Sequence, residues 1–162
     1  MAYSVCRIPG LLYDQHPQDV AFVESTEDTG IDAKAVFDKL NQKHKEEMLS
    51  KFDFWQRGQH QNKYFHGFNE LGYRGCFVFK RKQAGTYHRF YGFLHHPRIY
   101  TQPSYRVCIL VQHVQKNREN TDSSELDFTV AISINPQVIV AIKRAFPELV
   151  GGRYVTLDIR KR

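Results

Sequence analysis

Three consecutive runs between Gly72 and Lys116 are rich in aromatic and β-branched residues and bounded by turn residues. Such runs predict β-strands. The first run carries Cys76-Phe-Val-Phe-Lys-Arg81 and the second is Thr86–His96. The third, Tyr105–Lys116, is apolar on both faces in its middle, as a central strand requires. Ala84-Gly85 marks a hairpin turn between the first two, and Pro97 to Pro103 separates the second from the third. Upstream, Asp19–Ser25 contains Val-Ala-Phe-Val and reads as an earlier strand, and Glu27-Asp-Thr-Gly30 as a turn. From Asp32 to Trp55 the period changes. Ala35, Phe37, Leu40, Met48, Leu49, Phe52 and Trp55 recur mostly at three- and four-residue steps, which predicts a buried helix face. Asn41-Gln42 is the point at which this stretch would fold into a helical hairpin, and Gly58 suits its C-terminal cap.

Gln59–Glu70 is polar and reads as a loop. Ser124–Ile134 is apolar enough to pack, and a helix is one form it could take. Asn135-Pro136 is a helix start, with Asn as N-cap and Pro at the first helical position. Val138, Val140, Ala141, Ala145 and Phe146 line that helix before Pro147, and Arg153–Ile159 reads as a last strand. Residues 1–18 hold scattered turn formers and read as an irregular arm. The expected architecture is a single α+β domain over 1–162. It has a small, mostly antiparallel sheet with a helical hairpin packed on one face, plus a C-terminal helix and strand. The other sheet face is expected to be open to solvent, and the polar strand residues to point there.

Charge changes this picture by singling out the middle of the chain. The net charge of +6 is unevenly placed: between Gln59 and Asn120 there are ten Lys and Arg against Glu70 and Glu119, a local +8, and six of the eight histidines. A localised basic face suits a polyanion, nucleic acid being the commonest. The competing explanation is a solvated basic surface with no ligand. The three cysteines, Cys6, Cys76 and Cys108, match no zinc or redox spacing and fit a reducing, cytoplasmic setting. No secretory segment or membrane-spanning run of about 20 apolar residues is read in the sequence, so no membrane partner is expected.

Strict alternation places Tyr87, Arg89, Tyr91, Phe93 and His95 on one face of the second strand, and His88, Phe90, Gly92, Leu94 and His96 on the other. In the third strand it groups Val107, Ile109, Val111 and His113. Metal-independent RNA cleavage needs a base for the 2′-hydroxyl, a cation for the phosphate and an acid for the leaving 5′-oxygen. Arginine grips phosphate, histidine titrates near neutrality, and tyrosine stacks on bases or donates a proton. Arg89, His113, Lys80 and Tyr87 are the candidate catalytic set. Arg74, Arg81, Lys82, Tyr91, His95 and Lys116 are the candidate RNA-binding surface. Each could instead be a surface residue or a packed aromatic. His95-His96 point to opposite faces and cannot easily chelate together, so no metal and no cofactor is expected.

Over roughly residues 20–132 the order of these segments resembles the RelE/HigB superfamily of toxin endoribonucleases, in its phage-derived HigB-like branch. Phe22-Val-Glu24 and Gly30 stand for the early strand and turn, and Asp32–Trp55 for the helical pair. Phe79-Lys-Arg81 stands for the family's Leu-Arg, Tyr87-His-Arg89 for its Tyr-Arg, and Ile109–Lys116 for the apolar strand ending in Lys-Lys. Thr121 falls near the Thr of the following turn. The chain departs from the pattern at Gln115-Lys116, at His113 and at His88, and residues 133–162 extend beyond it. The resemblance implies an enzyme that cleaves mRNA, often on the ribosome, and is neutralised by an antitoxin protein, with Arg89 the carry-over to its site. Two alternatives stand beside it: a non-catalytic RNA- or ribosome-binding module, and a domain whose basic face is incidental.

Overall fold

Six strands pair into one sheet and four helices cover it in the computed structural model, which describes residues 2–13, 15–98, 105–118 and 120–146. In chain order they are β1 (Tyr3–Arg7), β2 (Gln18–Ser25), α1 (Ala33–Lys39), α2 (Gln42–Gln56), β3 (Phe65–Gly67), β4 (Cys76–Gln83), β5 (Thr86–Arg98), β6 (Tyr105–Lys116), α3 (Ser123–Ser133) and α4 (Pro136–Ala145). The sheet order is β1-β2-β6-β5-β4-β3. All neighbours are antiparallel except β2 and β6, which run parallel with Gln18 opposite Arg106 and Phe22 opposite Leu110. This is an α+β fold with a helical hairpin on one sheet face, as the sequence pattern predicts.

The elements form where local signals agree. Asn41 caps α2 by accepting from the His44 amide at 2.9 Å, and Gly58 follows its end at φ +83°. Asn135 caps α4 by accepting from Gln137 N at 2.9 Å, with Pro136 at the first helical position. Ala84 and Gly85 both take positive φ, 50° and 82°, the backbone of a two-residue hairpin turn.

Two cores flank the sheet. Val20, Phe22, Phe79, Phe90 and Leu110 pack against Phe37, Met48, Phe52 and Trp55 of the helical hairpin. On the opposite face, Ala21, Val23, Phe93, Val107 and Ile109 pack against Ile132, Val138 and Ile142. A smaller cluster places Leu126 of α3 on Cys76, Val78 and Tyr91. The second face is therefore covered by α3 and α4, not open as expected. Two further corrections concern short strands. β1 lies within the segment read as an irregular arm, and β3 within the segment read as a loop. The strand expected over 153–159 lies outside the described residues. Among those residues, no single helix is long and apolar enough to cross a membrane.

Candidate nucleic-acid interface

A β-bulge in the middle of the sheet decides which polar residues meet. Tyr91 lies opposite Gln112, but Gly92 lies opposite Leu110, so Val111 is the extra residue of β6. Beyond it the alternation is inverted. Gln112, Val114 and Lys116 share the α3 face with Tyr91, Arg89 and Tyr87, while His113 turns toward the helical hairpin. There it packs on Phe90 at 5.0 Å between ring centroids. Gly92 is required at this crossing, because a Cβ there would stand 2.4 Å from the Ile109 carbonyl oxygen.

The expected catalytic set is thus divided between faces. Arg89 is 2% exposed. Its Nη1 donates to Thr121 Oγ1 at 2.8 Å, Asn120 O at 3.0 Å and Tyr91 Oη at 3.2 Å. Tyr91 Oη donates in turn to Glu125 Oε2 at 2.7 Å, and Lys116 Nζ pairs with Glu125 Oε1 at 2.9 Å. Burial, with Glu125 acting in the same direction, pushes the Tyr91 phenol up to about 12. Arg89, Tyr91 and Lys116 therefore seat α3 on the sheet instead of presenting charge to a ligand.

Lys80, Arg81, Lys82 and Tyr87 do come together, in a cleft of about 490 Å³ beside β4. Its origin is the shortness of β3, which covers Phe77–Phe79 and, among the described residues, leaves Lys80–Gln83 without an outer strand. The chain before β3 touches this edge once, where Lys80 N donates to Tyr64 O at 2.7 Å. α2 supplies the facing wall with Glu47 and Lys51, and the polar segment adds Lys63 and Tyr64. Lys51 and Lys63 lie over the Tyr64 ring at 4.8 and 5.6 Å, and Lys82 over Tyr87 at 5.2 Å.

The electrostatics of this cleft are one-sided. Five cations, Lys51, Lys63, Lys80, Arg81 and Lys82, line it with one carboxylate, Glu47, and of these Arg81 is only 4% exposed. Glu47 approaches Arg81 at 3.8 Å, and Arg81 Nη1 donates to Gln83 Oε1 at 2.8 Å while its buried Nε has no partner. Burial pushes the Lys51 ammonium below its ordinary value, and Arg81 and Lys63 act in the same sense against Glu47. Burial likewise lowers Arg81, opposed by Glu47. A bound anion would relieve both. Sequence reasoning missed Lys51, Lys63 and Tyr64, because a helix and a loop far from the strands bring them here. The four-residue step from Glu47 to Lys51 was the available signal.

Opposite Arg81 in the β4–β5 register stands His88, whose Nδ1 lies 3.0 Å from His113 Nε2. Burial, then His88 and Arg81, pushes His113 down to about 4. Burial, then Arg81 and His44, lowers His88. Near neutrality the two rings are uncharged and share one hydrogen bond, one nitrogen donating to the other. Arg74 is exposed and borders a separate concavity near the start of β4. His95 is half-buried toward the far end of β5, opposite Val107. Among the described residues, no three His, Cys, Asp or Glu side chains converge as metal ligands.

No family model, curated protein or solved structure matches the chain.

Proposed function

We propose that this protein binds RNA, with the phosphodiester backbone lying in the cleft between β4 and α2. The observation that carries this reading is the set of five cations against one carboxylate, interleaved with Tyr64 and Tyr87. Cations that track a backbone and aromatic rings that accept bases are the two parts of a single-strand site. The second reading is an mRNA-cleaving toxin of RelE/HigB type, neutralised by an antitoxin and acting on or off the ribosome. The order β2-α1-α2-β4-β5-β6-α3 supports it, since those are the elements the resemblance implies. The His88–His113 pair beside Arg81 also supports it, because a neutral imidazole and a guanidinium are the parts needed to accept a proton and hold a phosphate. In this reading Arg89 acts from beneath, by holding the sheet and α3 together.

The test is fluorescence anisotropy of a labelled single-stranded RNA across a salt series, with product analysis in EDTA on a denaturing gel. Binding should weaken steeply with salt, at about 0.7 log units per phosphate contact for each log unit of salt. Lys63→Gln with Lys82→Gln should weaken binding about tenfold and flatten that slope. Affinity no greater than that of a charge-matched control protein would remove the proposal. Fragments that disappear in His88→Ala, with binding retained, would favour the cleaving reading.

A further inference from the structure

We propose that Arg106, stacked on Trp55, forms a second and separate subsite that takes one unpaired nucleotide of a single-stranded RNA. The proposal rests on the RNA-binding reading above and adds to it a place where the base itself is held. Two concavities of about 350 and 640 Å³ meet beside β3 and share Asn62, His66, Gly67, Phe77 and Arg106. Among the described residues, no carboxylate lines either of them. Arg74 borders the larger, and the amides of Gln59, Gln61 and Asn69 fringe the two.

Arg106 is the second residue of β6 and stands opposite Gln18. Its guanidinium carbon lies 5.3 Å from the centroid of the Trp55 ring. Its Nε donates to Gln18 Oε1 at 2.8 Å, and Gln18 Nε2 donates to the Trp55 carbonyl. This arginine is half-buried and held at its Nε and over the indole ring, and among the described residues it meets a neutral amide and an aromatic face but no carboxylate. Burial lowers its pKa, the direction expected of a charge without a counter-ion. A guanidinium plane held over tryptophan offers its outer face to a nucleobase, and its remaining N–H groups suit a phosphate. His66 completes the polar rim. Its Nδ1 donates to the Gly67 carbonyl at 2.8 Å, which leaves Nε2 as an acceptor for a base N–H.

The subsite neighbours the cationic cleft along the chain. The segment before and through β3 presents Asn62 and His66 to the Arg106 side and Lys63 and Tyr64 to the cleft. On β4, Phe77 borders the first and Lys82 the second, five residues or about 17 Å of strand apart. A short oligonucleotide can reach both, with its backbone in the cleft and one base on Arg106.

Trp55 is the sole tryptophan of the chain, so its emission reports on this subsite directly. The experiment titrates the full-length protein with AMP, CMP, GMP and UMP and with a 12-nucleotide single-stranded RNA. The expected result is saturable quenching by nucleotides, with one base preferred. Arg106→Lys keeps the charge but loses the plane, and should weaken nucleotide binding about tenfold. Lys63→Gln should leave nucleotide binding unchanged while weakening the 12-mer. Asn62→Ala, at an exposed turn position, should alter the base preference with unchanged circular dichroism, so the proposal stays testable if Arg106→Lys fails to fold. If the 12-mer binds but no nucleotide perturbs Trp55 and neither variant changes affinity, the subsite is wrong and the RNA-binding reading stands. If neither RNA nor nucleotide binds at low salt, the RNA-binding reading itself falls.

Discussion

Arg89 illustrates how one residue type serves two opposite ends. A guanidinium on a strand suggests a phosphate ligand while its face is taken as open, and a structural role once a helix covers it. Here it bridges Tyr91, Asn120 and Thr121 beneath α3. Arg89→Ala should therefore unfold the protein more readily, by about 2–3 kcal/mol in urea denaturation, because Tyr91, Thr121 and the Asn120 carbonyl lose a shared buried donor. RNA binding per folded molecule should change little. His113 sets a pH dependence of known sign. Its folded-state pKa of about 4 lies below the ordinary 6.5. The stabilisation from keeping it neutral is full above about pH 6.5, and is lost as pH falls from there through about 4. Its ring is partly exposed, which limits the effect to roughly 2 kcal/mol. Thermal melts between pH 7 and 4 should show a smaller decline for His113→Gln than for the wild type, with the other lowered histidines, His66, His88 and His96, supplying the remainder. The positions of these polar residues were legible in the sequence, but their surroundings were not. Nothing local to Arg89 announces that residues 121–125 will close over it.

At the scale of elements, the long strands, the helical hairpin and the α4 cap could be read, because each is marked by its own period or boundary residues. The two strands that could not be read lack those marks. β3 is three residues, Phe-His-Gly, too short for alternation. Among the described residues, β1 sits at the sheet edge with no strand on its other side. The bulge in β6 was equally hidden, and it misdirected the site. A run of apolar residues from Val107 to Val111 contains no sign that the face changes after Val111, so His113 was placed with Val107 instead of with His88. Gly92 is the visible trace of that event, the one small residue of β5 in the segment that faces it. Gly92→Ala should cost roughly 3 kcal/mol by forcing β5 away from the Ile109 carbonyl. The measurement is a urea midpoint, with hydrogen exchange at Leu110 and Gln112 to locate the loosening.

For the whole molecule, the fold class followed from the sequence of elements, whereas coverage of the sheet did not. α3 has little contrast between faces, since Phe128, Val130 and Ala131 interleave with the buried Leu126, Thr129 and Ile132, so its docking could not be inferred from periodicity. The consequence for function is that charge read as one broad basic face is divided. Part of it is neutralised internally at Glu125, and the part available to a ligand is gathered along the β3–β4 margin. Binding at that margin should fall with salt, yet be indifferent to substitutions at Lys116 that keep the fold, which a comparison of Lys116→Met with Lys82→Gln would show.

The parallel pairing of β2 with β6 also has a consequence for the birth of the chain. β2 ends at Ser25, and its partner begins at Tyr105, about 80 residues later. At roughly 5–20 residues per second of synthesis, β2 waits some 4–16 s on the ribosome for the strand that completes its hydrogen bonds. During that interval Val20, Phe22 and Val23 have only β1 and the helical hairpin to hide behind. Nascent chains arrested before residue 105 should consequently be protease-sensitive in their first 25 residues, and acquire protection there only when β6 has emerged.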